Sequence, residues 1–333
     1  MKKFLSWTAG ILIALSAVFF LGPKSPEANL NPELPVVPSD LVQLEMLINT
    51  SEKAVKNLKP NNEARIVWAD SLNKKKTPYS IVYIHGFGAS WAEGDPVAKN
   101  IAKRYGANLY LSRMHDAGIS DPDAFDDLTP ENFTSGAKQA LAIGKALGDS
   151  VIIIGTSAGG LLTIHLASNH PELKGIVLYS PCLAVANPAL KLTTGPWGEQ
   201  ILHAAMGEHR NSADEDPGRA QFWLQSYHTN GLLTLQKTID AVAQPEVFSK
   251  VTVPAFVGYY YKNEKEQDDV VSVKAIQDMV PLLGTTPDQK VEKAFPESGD
   301  HVIASYLRSK DVAGVQKATE DFFDQILKIK PVQ

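Results

Sequence analysis

Two periodicities alternate along this chain. Short apolar runs rich in β-branched residues read as strands, and stretches with apolar positions three and four apart read as helices. From Ser39 to about Leu58, Leu41, Leu44, Leu47, Ile48 and Val55 recur at helical spacing, with Ser39 placed to cap the helix. Ala64–Ala69 reads as a strand, Ser80–Ile84 as a second, Asp95–Tyr105 as a helix and Ala107–Leu111 as a strand. Glu131–Leu147 follows as a helix. Val151–Ile154 is apolar throughout, as a strand buried on both faces is. A helix over Leu161–Ser168 and a strand over Gly175–Tyr179 come next. Between Cys182 and Lys250 the alternation stops, leaving helical patches rich in Trp, His and Met and no convincing strand. It resumes with a strand at Val253–Tyr260, a helix near Ser272–Leu283, a strand at Lys290–Phe295 and a helix near Asp311–Lys328. Strand and helix in turn predict a mostly parallel sheet with helices on both faces.

The N-terminus carries a different pattern. Lys2 and Lys3 precede an uncharged stretch from Phe4 to Gly22. As a helix it would be about 28 Å long, close to the thickness of a bilayer core. The stretch exceeds the usual signal-peptide core, and no small-residue cleavage motif follows it. An uncleaved anchor is therefore expected, with a cleaved signal peptide as the alternative. Either exports the body, because the leading lysines prefer the cytoplasmic side. Prolines at 23, 26, 32, 35 and 38 then predict a stiff, extended tether that holds the body clear of the lipid.

Composition narrows the function classes. The 333 residues include a single cysteine, Cys182, so neither an intrachain disulfide nor a cysteine-rich zinc site can form. The net charge of −5 argues against a nucleic-acid partner.

The strongest chemical signal is Gly155-Thr156-Ser157-Ala158-Gly159, directly after an apolar strand and directly before a helix. A serine on such a turn projects its hydroxyl into the open, and the helix N-terminus behind it offers amide donors. His85-Gly86-Phe87-Gly88 follows the strand Ser80–Ile84. The amides of Phe87 and Ala158 are the candidate oxyanion donors, with His85 itself a structural hydrogen-bonder. Among eight histidines, His301 stands out, in a loop between the strand Lys290–Phe295 and the last helix. The acid is expected in the loop past Val253–Tyr260, at Asp268 in preference to Asp269. Arg113 could meet an anionic substrate group or pair with a nearby acid such as Asp116. Trp197, His203, Met206, Phe222, Trp223 and Tyr227 offer apolar and polar surface from the insert.

The order Ser157, Asp268, His301 is that of the α/β-hydrolases. With the HGFG loop and the GTSAG turn, it makes the chain from about Tyr79 to Ile329 resemble that superfamily, in particular its bacterial serine esterase and lipase-like members. The resemblance implies a mostly parallel eight-stranded sheet, with helices on both faces and a helical cap inserted after the sixth strand. It implies acyl transfer from a small-molecule ester, with no cofactor and no metal. Ser272 departs from the proline that many members carry after the acid loop. The expected organisation is a signal anchor or signal peptide over 1–22, a tether and helix over 23–60, a hydrolase core over 61–181, a cap over 182–250 and the rest of the core over 251–333. Thioester or peptide substrates stay open, as does a non-catalytic envelope factor that uses the same scaffold to bind a partner.

Overall fold

The computed structural model describes residues 16–211 and 216–332. Its strands, in chain order, are β1 (Arg65–Val67), β2 (Thr77–Ile84), β3 (Asn108–Leu111), β4 (Gly148–Thr156), β5 (Gly175–Tyr179), β6 (His209–Asn211), β7 (Ser226–His228), β8 (Ala255–Tyr259), β9 (Tyr261–Asn263), β10 (Glu266–Gln267) and β11 (Lys290–Ala294). Seven of them form the main sheet, in the order β1-β3-β2-β4-β5-β8-β11. Every pairing in it is parallel except β1 with β3. Beyond a short helical stretch at residues 16–20, the α-helices are α1 (Leu41–Lys53), α2 (Val97–Arg104), α3 (Pro130–Leu147), α4 (Ala158–Ala167), α5 (Gly198–Met206), α6 (Pro217–Phe222), α7 (Asn230–Val242), α8 (Pro245–Phe248), α9 (Val273–Met279) and α10 (Val312–Gln325).

Alternate residues of each central strand face opposite sides of the sheet, and the two cores divide accordingly. Val82, Ile84, Val151 and Ile153 pack with Leu141 of α3 and Leu161 of α4. Ile81, Tyr83, Ile152 and Ile154 pack with Ile101 of α2 and Phe322 and Phe323 of α10 on the other face. Burial on both faces explains why β4 and β5 read as continuous apolar runs. Parallel strands leave their C-terminal ends on one edge of the sheet, and the loops after β2, β4, β8 and β11 gather there.

Four sequence expectations need correction. Among the described residues the main sheet has seven strands, not eight, so the insertion follows the fifth strand, β5, and not a sixth. The residues ahead of β1 are helix α1 and the proline-rich segment, whose prolines lack the amides a further outer strand would need. The insertion does hold strands: β6 and β7 pair antiparallel, His209 opposite His228 and Asn211 opposite Ser226. Strands of three residues are too short to carry an alternating apolar signal. The proline-rich segment, expected to act as a spacer between lipid and body, is packed along the body. Leu30, Leu34 and Val37 pack against the α3 side of the core, and Lys138 Nζ donates to the Asn31 carbonyl at 2.9 Å. Finally, α1 is capped by Asp40, which accepts from Gln43 N, one residue after the expected Ser39.

Most of the uncharged stretch Phe4–Gly22 lies outside the described residues; its residues 16–20 are helical. Among the described residues no helix is long and apolar enough to cross a membrane.

Candidate active site

Ser157 sits on the turn that joins β4 to α4, with φ 55° and ψ −120°. A non-glycine residue there stores about 1–3 kcal/mol, so the surroundings must hold it. They do so through the backbone. Ser157 N–H donates to the Tyr179 carbonyl, and the Ser157 carbonyl accepts from Cys182 N, both at 2.9 Å. Only glycine fits at 159, where a Cβ would stand 2.0 Å from the Ile84 carbonyl oxygen. That close approach brings α4 down onto the end of β2.

The loop after β2 lies against this turn. A Cβ at Gly86 would stand 2.9 Å from Ser157 Cβ, so glycine lets the loop touch the serine. His85 locks the loop from behind. Its Nε2 accepts from Met114 N at 3.0 Å, which leaves Nδ1 to donate to the Gly86 carbonyl at 2.8 Å. Burial pushes its pKa down to about 4, so the ring is neutral and structural. Phe87 follows, its ring 4.6 Å from Phe125 and 5.5 Å from Tyr227. Ala158 opens α4, where a first-turn amide has no acceptor within the helix.

Asp268 and His301 come from loops after β10 and β11 and meet at 2.6 Å, Oδ2 to Nδ1. Asp268 Oδ1 accepts from Val270 N at 2.9 Å and Val271 N at 3.0 Å, which fixes the carboxylate plane. Burial alone would raise the Asp268 pKa. The His301 charge, the hydrogen bond to it and the two amides outweigh burial and hold it low. His301 shows the mirror image: burial lowers its pKa, and the Asp268 charge and hydrogen bond, with Glu93 and Asp300 behind, raise it overall. With Nδ1 facing a carboxylate, Nε2 is the free nitrogen of the ring, and it is buried with no hydrogen-bond partner among the described residues. Asp269, by contrast, is exposed. Ser272 caps α9 by accepting from Ala275 N, a role that proline could not fill.

Ser157, His301 and Phe87 line one cavity of about 820 Å³. The insertion walls it with Leu190, Leu192, Ile201, Leu202, Met206 and Tyr227. Of the insert residues singled out from sequence, Met206, Trp223 and Tyr227 line this cavity. Phe222 instead packs edge-on to Trp91 at 5.4 Å, His203 lies 5.8 Å from His228 with the rings tilted at 55°, and Trp197 contacts the N-terminal segment. Arg113 takes the pairing alternative, with Glu52 in place of Asp116. Nε lies 2.7 Å from Oε2 and the pair is largely buried, so it clamps α1 to the core.

Sequence reasoning missed Glu93. It lies in a 3₁₀ turn, Trp91–Gly94, and is 3 % exposed. Oε2 accepts from Gly86 N at 2.5 Å and from the Tyr83 hydroxyl at 3.4 Å, and the side chain lines the same cavity. Burial raises its pKa to about 7, against the lowering pull of the Gly86 amide and His301. The only signal was an acid set among Ala89, Trp91, Ala92 and Gly94, which reads equally well as surface.

This turn, this loop pair and this cavity at the C-terminal edge of a parallel sheet define a class of fold. Residues 81–315 match the model of the alpha/beta hydrolase family, and the chain belongs to that family. A thermostable monoacylglycerol lipase of Bacillus sp. (strain H-257) is 25% identical over 127 residues, which is 38% of this chain and 50% of the lipase. The match therefore spans about half of that relative's length. Among solved structures, one of a study of two metagenome-derived lipolytic enzymes superposes with a TM-score of 0.64 at 19% identity, covering 80% of this chain and 99% of the other. The monoacylglycerol lipase of Paleococcus ferrophilus gives 0.57 at 14% identity, covering 80% and 100%.

Proposed function

We propose that this chain is a serine hydrolase of carboxylic esters. The observation that carries the reading is a strained serine and a buried Asp268–His301 pair opening on one largely apolar cavity. In this reading His301 Nε2 takes the Ser157 proton as the oxygen attacks the ester carbonyl. The Phe87 and Ala158 amides receive the oxyanion. Collapse breaks the acyl–oxygen bond, and the alcohol leaves with the proton from His301. Water, deprotonated by the same nitrogen, then releases the acid and restores the serine. Asp268 keeps the proton of the resting imidazole on Nδ1. No step calls for a cofactor.

The apolar walls that the insertion contributes suit an acyl chain, with Arg210, Asp269, Asp300 and Arg308 also lining the cavity, and the likeness to monoacylglycerol lipases points the same way. The test is covalent labelling by a fluorophosphonate, followed by p-nitrophenyl esters of increasing chain length with thioesters and peptides as competitors. Labelling of wild type but not of Ser157→Ala, with turnover rising along the ester series, is expected. An unlabelled wild type would favour the binding-factor alternative. The uncharged stretch Phe4–Gly22 supports an exported, membrane-anchored protein, with cleavage as the alternative. Intact mass and membrane fractionation of the native protein separate the two.

A further inference from the structure

The cap presents an apolar face beside the point where the N-terminal segment reaches the body. Leu192, Ile201 and Met206 line the cavity, yet each also stands exposed, Leu192 at 62%. Between residues 187 and 206 only Lys191 and Glu199 are charged. This segment of the rim is thus apolar and nearly uncharged on its outer side, whereas the exposed Arg210 and Asp269 line the cavity from neighbouring segments.

The N-terminal segment is bonded to this same part of the cap. Trp197, which immediately precedes α5, donates its backbone N–H to the Pro23 carbonyl at 2.8 Å and its indole Nε1–H to the Val18 carbonyl at 3.2 Å. Glycine at 22 allows the contact, since a Cβ there would overlap the indole at 2.0 Å. Phe19, Phe20 and Leu21 lie exposed next to it, Leu21 at 86%. The end of the uncharged stretch is therefore stapled to the base of the helix that carries Ile201 and Met206. A tryptophan at the junction of an apolar segment and a polar body suits a membrane–water boundary.

We infer that the cap face bearing Leu192, Ile201 and Met206 docks on a lipid bilayer, oriented there by the Trp197 contacts with residues 18–23. The inference rests on the anchoring reading above. It goes further in saying which face meets the lipid: the mouth of the cavity opens onto the bilayer, so an ester could pass from lipid to Ser157 without crossing water. The continuity of the uncharged stretch with this face favours a bilayer over a second copy of the chain.

The experiment uses the full chain, with Cys182→Ser removing the one native thiol. A fluorophore is placed through Leu192→Cys, in a second protein through Met206→Cys, and in a control through Asp149→Cys. Asp149 is exposed near the start of β4, at the opposite end of that strand from Ser157. The proteins are reconstituted into vesicles of phosphatidylethanolamine and phosphatidylglycerol containing a nitroxide lipid, and flotation is measured alongside quenching. Severalfold stronger quenching at 192 and 206 than at 149 is expected. A chain that floats, with all three labels equally unquenched, overturns the docking and leaves the anchor standing. A chain that does not float overturns the anchor and the docking together. A dimer in detergent whose 192 labels transfer energy to each other, without lipid quenching, would make a second copy the occupant and overturn the inference.

Discussion

The Gly86 amide donates to Glu93 Oε2 across 2.5 Å, so a buried acid holds the loop that also carries Phe87. Burial keeps Glu93 protonated up to about pH 7, while the unfolded chain ionises it near the usual carboxylate range. The native state therefore binds the proton longer, and stability falls as pH rises between those limits. At about 1.4 kcal/mol per pKa unit, the decline amounts to about 3 kcal/mol and levels off above pH 7. Glu93→Gln should flatten this slope in urea denaturation at pH 5, 6, 7 and 8. Parallel pH profiles for variant and wild type would remove the acid from this role.

Ionised Glu93 would also place negative charge beside the site proposed for the oxyanion. We expect turnover of the wild type to decline on the alkaline side once Glu93 ionises, and Glu93→Gln to extend activity to higher pH. Steady-state kcat measured across pH 6–9 decides. A variant that loses activity equally at every pH would point to loop geometry alone.

His301 acts on turnover in the opposite sense. Its pKa is raised overall, because the Asp268 carboxylate outweighs burial. In the proposed mechanism the neutral ring is the base, so kcat/KM should rise with pH through a midpoint above the ordinary histidine value of about 6.5. Its contribution to stability is full below the unfolded pKa and is lost as pH rises through the folded one. Asp268→Asn should move the kinetic midpoint downward and reduce kcat by about 10⁴-fold, the scale seen when a triad acid becomes an amide. Asp269→Asn, at an exposed position, should stay within about tenfold of wild type in the same assay, well short of a triad loss. The reverse ranking would shift the acid by one residue.

At Ser157 chemistry and strain can be separated. Ser157→Ala should lose about 10⁴–10⁶ in kcat while keeping the fold, since φ stays positive with either side chain. Ser157→Gly should be equally inactive but more stable, by about 1 kcal/mol, because glycine adopts this backbone without strain. Thermal melts of both variants test the point. A glycine variant less stable than the alanine variant would mean that the turn is not strained.

What the chain reveals by itself is what short-range physics controls. Apolar runs in β2, β4, β5 and β8 and 3.6-residue spacing in the flanking helices marked most of the main sheet and its layers, because strand burial and helix amphipathicity are written within a few residues. The serine turn was legible for the same reason: strand, two small residues around Ser157 and helix are contiguous. His301 and the acid loop could be ordered along the chain, but the choice between Asp268 and Asp269 as its partner needs the fold, which buries one and exposes the other. Glu93 was invisible, since an acid surrounded by small residues looks like surface until β2, the Gly86 loop and the cavity enclose it. The Arg113–Glu52 clamp, 61 residues apart, and the Trp197 staple to Val18 and Pro23, nearly 180 apart, likewise exist only through tertiary contact. The β6–β7 pair is of this kind too: strands of three residues are too short to show a period and form because the cap brings their backbones together. Local hydrogen bonding and apolar periodicity decided the elements, whereas burial of charge and the meeting of distant loops were decided by packing alone.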